Sequence, residues 1–214
     1  MAIIDIFAPA LPDQAGDLRR WSGLYGSSLS LAVANVARSS DGIVMLVTAN
    51  TEEAELVRRE LGFFCPDRDA MPVHTLPDWE TLPYDNFSAH QDIVSDRLNT
   101  LYHLPLLKRG ILIVPVTSLM HRLTPREYVV GNSLMLKVGA RFAPDVMRRN
   151  LLSAGYQCVD SVYEHGEFAV RGSIMDIFPM GSDVPYRIDL FDDEIESLRT
   201  FDPESQRSLD KVKQ

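Results

Sequence analysis

The octamer Gly23-Leu-Tyr-Gly-Ser-Ser-Leu-Ser30 approaches the phosphate-binding template Gly-x-x-x-x-Gly-Lys-[Ser/Thr]. That template works because bare amides and a lysine wrap the phosphates while the closing hydroxyl holds magnesium. Gly23 and Ser30 match, but Ser28 stands at the second glycine and Leu29 at the lysine. Leucine neither donates a hydrogen bond nor carries charge, so no ATP hydrolysis is expected of this chain. Whether the octamer is a worn phosphate loop or a chance glycine turn before a helix stays open on these residues. The usual second requirement, an acidic group for magnesium at a strand end, also fails, because the apolar run 111–116 leads into Thr117 and Ser118.

Other chemistry finds less support. The histidines at 74, 90, 103, 121 and 165 show neither His-x-x-x-His nor His-x-x-Glu-His spacing, so surface or capping roles are expected rather than metal binding. Asp192, Asp193, Glu194 and Glu196 lack an Asp-x-Asp-x-Asp-Gly loop and read as a solvated hairpin turn. The serines at 27, 28 and 30 have no Gly-x-Ser-x-Gly elbow. Cys65 and Cys158 lie in apolar contexts without basic neighbours or Cys-x-x-Cys spacing, which fits packed free thiols in a reducing cytoplasm. No catalytic residue, metal or cofactor is expected. The aromatic loop from Trp79 to Phe87 has Asp78, Glu80 and Asp85 in or beside it and no Lys or Arg, so packing over a sheet suits it better than stacking on bases.

One surface stands out. In Tyr186-Arg-Ile-Asp-Leu-Phe191, strand alternation puts Tyr186, Ile188 and Leu190 on an apolar face and Arg187, Asp189 and Phe191 on the other. A large ring beside an arginine has the composition of an interface hot spot, since the ring gains by leaving water and the guanidinium gives directed hydrogen bonds. Arg171 lies on a neighbouring expected strand with Gly172 as a candidate bulge, and hairpin pairing could bring the two arginines close. A second reading stays open, in which Phe191 fills a gap under a loop and both arginines pair with acids on adjacent strands.

Alternating strand and helix patterns must position these residues. Leu31, Val33, Val36 and Ala37 follow helical spacing behind the glycine turn. Apolar runs over 42–48, 73–76 and 110–115 read as strands, the first buried on both faces. Asn50 with Glu53 three residues on caps a helix through Leu61, and further helices are expected over 91–107 and about 118–122. After Pro125 the rhythm changes to one helix near 144–154 and short strands between Gly, Pro and Asp turns. The expected fold is α/β: a parallel-sheet domain over 1–125, then a smaller α+β domain with antiparallel hairpins over 126–214.

Composition narrows the function classes. With 45% apolar and 24% charged residues the chain is globular, and no apolar run reaches the ~18 residues that would span a bilayer. The start Met1-Ala-Ile-Ile-Asp lacks a basic segment that would target export, so a cytoplasmic protein without membrane partners is expected. A net charge of -9 repels phosphate backbones and disfavours autonomous nucleic-acid binding.

Three longer stretches are far more particular than the octamer: 78–93 (Asp-Trp-Glu-Thr-Leu-Pro-Tyr-Asp-Asn-Phe-Ser-Ala-His-Gln-Asp-Ile), 109–116 (Arg-Gly-Ile-Leu-Ile-Val-Pro-Val), and 164–181 continuing to 191–197. Through them the chain, from about Trp21 onward, closely resembles the N-terminal region of bacterial transcription-repair coupling factors, the Mfd family, itself similar to the excision-repair protein UvrB. The resemblance implies a degenerate motor-like (P-loop NTPase-like) domain 1A, then an inserted domain 2, with the sequence ending about where a domain 1B would begin. It implies a non-catalytic module whose domain 2 binds UvrA, the damage-recognition protein, and so brings nucleotide excision repair to a stalled RNA polymerase. Family positions for UvrA contact map onto Arg171, Arg187 and Phe191, a surface thought to be masked in resting members by a C-terminal domain. Gly23, Ser28, Leu29 and Ser30 would then be an inactive remnant of the loop that UvrB keeps in working order. Binding of RNA polymerase and DNA, and ATP-driven translocation, are implied for family regions outside this sequence. The rival readings are a residual nucleotide-binding module and a damaged-DNA-binding module.

Overall fold

A computed structural model describes residues 5–81, 86, 88–131, 133 and 135–214. By compactness the chain divides into one unit of Met1–Trp79 with Thr100–Thr124 and another of Glu80–Asn99 with Pro125–Gln214. The stretch 80–99 thus groups with the second unit, where the sequence reading draws a single boundary at 125.

The first unit is built on a parallel sheet of three strands, in the spatial order β1 (Ile43–Thr48), β3 (Gly110–Pro115), β2 (Val73–Thr75). Parallel pairing needs crossovers, and the one from β1 to β2 runs through a helix that packs on the sheet beside the helix preceding β1. Val33, Ala34 and Ala37 of α1 (Ser28–Ser39) and Ala54, Val57 and Leu61 of α2 (Thr51–Phe64) close over Ile111 and Ile113. The expected cap of α2 is present: Asn50 Oδ1 accepts from the Glu53 N–H at 2.8 Å, and Glu53 Oε2 accepts from the Ala49 N–H at 2.8 Å. Two helix-end donors are satisfied reciprocally.

Central strand β3 is buried along its whole length. Its second face is covered by Leu76, by Leu101 near the end of α3 (Gln91–His103), and by Leu104. Helix α3 stops short of the expected 107 because Pro105 has no N–H to give, and the chain closes with a 3-10 turn over Leu104–Leu106. The burial expected on both faces of β1 is not found. Val44 and Leu46 pack on the core, while Ile43, Met45 and Val47 are exposed. A continuous apolar run fits a central strand and an edge strand equally well, and β1 is at the edge. Nor is there an α-helix at 118–122: a 3-10 turn, Val116–Met120, is all that fits before His121 becomes extended.

The second unit carries a six-stranded sheet in sequential order: β4 (Gln157–Cys158), β5 (Glu167–Arg171), β6 (Ile174–Ile177), β7 (Tyr186–Phe191), β8 (Glu194–Phe201) and β9 (Ser208–Val212). Only β4 and β5 run parallel. One face buries Phe168, Met175, Ile177, Ile188 and Leu198 beneath Phe142 and Leu151, the latter from the helix Pro144–Ser153, α5 when the short helix Arg126–Gly131 is numbered α4. Gly172 is not a bulge. At φ +62 it opens the two-residue turn joining β5 to β6, a conformation that L side chains resist. The register shift falls instead between Asp189 and Leu190, against β8. Asp192 and Asp193 form the next two-residue turn, as the solvated-turn reading requires, with Asp192 at φ +52.

The chain is therefore a mixed α/β protein with one parallel three-stranded sheet and one mixed six-stranded sheet. Residues 82–85 and 87 lie outside the described residues, and with them the expected packing of the aromatic loop over the first sheet.

Candidate functional site

Strand register builds the face that sequence parity singles out. Ala169, Asp176, Arg187 and Arg199 fall in one row across β5 to β8, and Arg171, Ile174, Asp189 and Ser197 in the next. Both rows point away from the core of Phe168, Met175 and Ile188, because successive side chains alternate. Phe191, two residues beyond Asp189, shares this side and is 70% exposed. It fills no gap under a loop.

The arginines, by contrast, do pair with an acid on an adjacent strand, and it is the same acid. Asp176 on β6 is wholly buried between them. Arg187 donates from Nε to Oδ1 at 2.7 Å and from Nη2 to Oδ2 at 2.9 Å, a bidentate fork, while Arg171 donates from Nη2 to the same Oδ2. Arg187 also donates from Nη1 to Gln206 O and Ser208 Oγ, each at 3.2 Å, and holds its Cζ 4.9 Å from the centre of the Phe201 ring. Its side chain is only 16% exposed, against 47% for Arg171. Hydrogen bonding to Asp176, opposed by burial and helped by the charges of Asp176 and Asp189, raises the Arg187 pKa above the ordinary arginine value. Asp189 turns sideways, accepting from Ser197 Oγ and lying 3.5 Å from Arg199 Nε.

Sequence reasoning passed over Asp176, although a signal was there. In Ile174-Met-Asp-Ile177 the acid has the opposite parity to the core residues Met175 and Ile177, and the tight turn at Gly172 sets it across from Ala169, two residues from Arg171.

The octamer is arranged very differently from a phosphate cradle. Gly23 (φ +76) follows irregular chain among the described residues, not a strand. Ser30, wholly buried, donates to Glu60 Oε2 at 2.5 Å, and Ser27 donates to Glu60 Oε1 at 2.8 Å. Ser28 bonds the carbonyl of Tyr25 at 2.7 Å, and Leu29 packs against the core. The hydroxyl that would hold magnesium is thus committed to a carboxylate that repels phosphate.

Remaining candidates are structural. Burial pushes the Cys65 thiol pKa up despite the nearby charge of Arg38, so this cysteine does have a basic neighbour in space, while Cys158 is exposed rather than packed. His165 spans Asp92 Oδ1 and Ser182 O, each at 2.8 Å, against the Phe178 ring. Among the described residues no group of three or more His, Cys, Asp or Glu is placed to hold a metal ion, and no helix is long and apolar enough to cross a membrane.

Comparison with known proteins bears on the same face. Residues 134–214, which include Arg171, Asp176, Arg187 and Phe191, match the family described as the UvrB interaction domain. The chain is 50% identical over 202 residues to the transcription-repair-coupling factor of Escherichia coli (strain K12), a match covering 94% of this chain and 17% of that protein. For the protein of the same name in Haemophilus influenzae the figures are 44% over 206 residues, 96% and 18%. For that of Bacillus subtilis (strain 168) they are 31% over 193 residues, 89% and 16%. The chain therefore spans only 16% to 18% of the length of these curated relatives. Nearly the whole chain is thus similar to one part of the transcription-repair-coupling factors, and its residues 134–214 match the UvrB interaction domain family.

Proposed function

We propose that this chain is a non-catalytic recruitment module of transcription-coupled DNA repair, in which residues 126–214 bind UvrA through Arg171, Arg187 and Phe191 and so bring nucleotide excision repair to a stalled RNA polymerase. The observation that carries this reading is the exposed Phe191 ring on a face whose arginines are already ordered. An exposed aromatic gains by desolvation on contact, and fixed guanidiniums lose little entropy when they meet a partner's acids or carbonyls. The first unit serves as a motor-like domain 1A without motor chemistry. Its parallel β–α arrangement supports that descent, and the Glu60 carboxylate at Ser27 and Ser30 argues against a residual nucleotide site. RNA polymerase, DNA and ATP-driven movement belong, on this reading, to the rest of a longer cytoplasmic protein. The net charge of -9 argues against damaged-DNA binding by this chain alone.

Calorimetric titration of purified UvrA into the chain tests the proposal, with Arg171→Ala, Arg187→Ala and Phe191→Ala alongside and each variant checked for folding. Saturable binding that weakens in the variants supports it. No binding by the folded wild-type chain rejects it.

A further inference from the structure

We propose that Asp176 is the positioning residue of this face: its buried carboxylate orders both guanidiniums before a partner arrives, so that Arg171 is presented as an aimed donor on the same side as Phe191. The inference rests on the reading of this face as the UvrA contact surface, and extends it to a residue that has no exposed surface to offer a partner.

The two arginines do unequal work. Arg187 commits Nε and Nη2 to Asp176 and Nη1 to Gln206 O and Ser208 Oγ, and lies over Phe201, which makes it the anchor. Arg171, nearly half exposed, gives Asp176 one Nη2 bond, its only acceptor among the described residues. Its other guanidinium donors are left for a partner. Two positive charges share one negative charge, so the surplus faces outward at Arg171. The group that fits it is a carboxylate, carried on a protein surface with an apolar patch for the ring of Phe191.

Without the carboxylate, guanidiniums on β5 and β7, with only β6 between them, repel each other and regain rotamer freedom. Asp189, on the same face and already felt by Arg187, is an alternative acid, and turning towards it would pull Arg187 off its present aim. A partner would then have to order the guanidiniums at its own cost in entropy.

The test combines two readouts. In NMR spectra of the unaltered chain, the Arg187 Nε–H signal is expected to be protected from solvent exchange, and Arg171 to show hindered guanidinium rotation. Both signatures should disappear in Asp176→Asn, which keeps shape and removes charge. Freely averaging guanidiniums in the unaltered chain would overturn the proposal, and this arm needs no variant to fold. In UvrA titrations, Asp176→Asn should weaken binding roughly ten- to a hundredfold, the scale of added ordering cost for two long side chains. In an Arg171→Ala, Arg187→Ala background the same substitution should add almost nothing, since the carboxylate acts through those residues. A full additional loss there would mean a general structural role and would also overturn it. If the unaltered chain shows the NMR signatures but binds no UvrA, the recruitment reading fails while the ordering by Asp176 stands.

Discussion

Replacing Phe191 by alanine removes the ring of a residue that is 70% exposed, so folding and recognition should respond very differently. A phenylalanine buries roughly 200 Å² when fully covered. With 70% of it still in water, about 140 Å² remains for a partner to cover, worth roughly 3.5 kcal/mol at about 25 cal/mol/Å². Alanine keeps the β-carbon, so the expected loss is about 3 kcal/mol, somewhat more than a hundredfold in Kd. Against this, the part of the ring already packed contributes under about 1 kcal/mol to folding. Calorimetric titration with UvrA reads the first quantity and a thermal melt of the free chain reads the second. A Kd changed by no more than about twofold would remove Phe191 from the interface. A Tm lowered by more than about 5 °C would show that the ring supports the fold, contrary to its exposure.

Arg171→Ala should leave the Tm almost unchanged, whereas Arg187→Ala strips the bidentate partner from a buried carboxylate and should cost roughly 3 kcal/mol or more of stability in urea titration; equal losses would contradict the division into anchor and exposed donor. Restoring the two missing template residues with Ser28→Gly and Leu29→Lys should not create ATP binding, because Glu60 still occupies Ser27 and Ser30 and the lysine would replace a packed leucine. Saturable nucleotide binding by that double variant in equilibrium dialysis would refute this account of the octamer. Burial, and secondarily the charge of His103, holds the His74 pKa below its ordinary 6.5. The unfolded chain therefore takes up this proton more readily, so the His74 contribution is intact above about pH 6.5, is lost as pH falls below that, and levels off once the folded-state pKa is passed. His74→Asn should flatten that limb of the stability curve in thermal melts, and an unchanged limb would assign it to other groups.

Local rules account for much of this architecture. Asn50 and Glu53 cap α2 because their spacing alone decides which backbone donors they reach, and the alternation in 186–191 sets the two faces of β7 because strand geometry allows nothing else. What sequence could not supply was what lies beyond each element. The apolar run at β1 carries no mark of an edge strand, so the exposure of Ile43, Met45 and Val47 could not be read from it. The fate of Phe191 and the arginines depended on cross-strand register. The sequence left two alternatives, one placing all three at an interface and the other burying the ring and pairing the arginines internally. The structure takes half of the second, the internal pairing, while leaving the ring in water. Asp176 was within reach of parity and turn logic. It was passed over because an acid in an apolar strand attracts attention only once its cross-strand neighbours are known.

The buried ionic cluster is itself hard to explain by stability. Removing the Asp176 carboxylate and the Arg187 guanidinium from water is costly, and apolar side chains of similar volume often stabilise a sheet as well or better. This sheet side has that alternative in place: Ala169, Phe178 and Phe201 lie on it and pack with Val162 into an apolar cluster. Arg187 rests on the rim of that cluster, over Phe201, and the ionic group begins there. Moving out along β7, packing changes from hydrocarbon, to charge held rigid by Asp176, to a bare aromatic ring at Phe191. Each step trades internal stability for groups a partner can use while keeping them ordered. A surface selected only for solubility would need neither the buried acid nor the exposed ring, so the two together are better explained by a partner than by the fold.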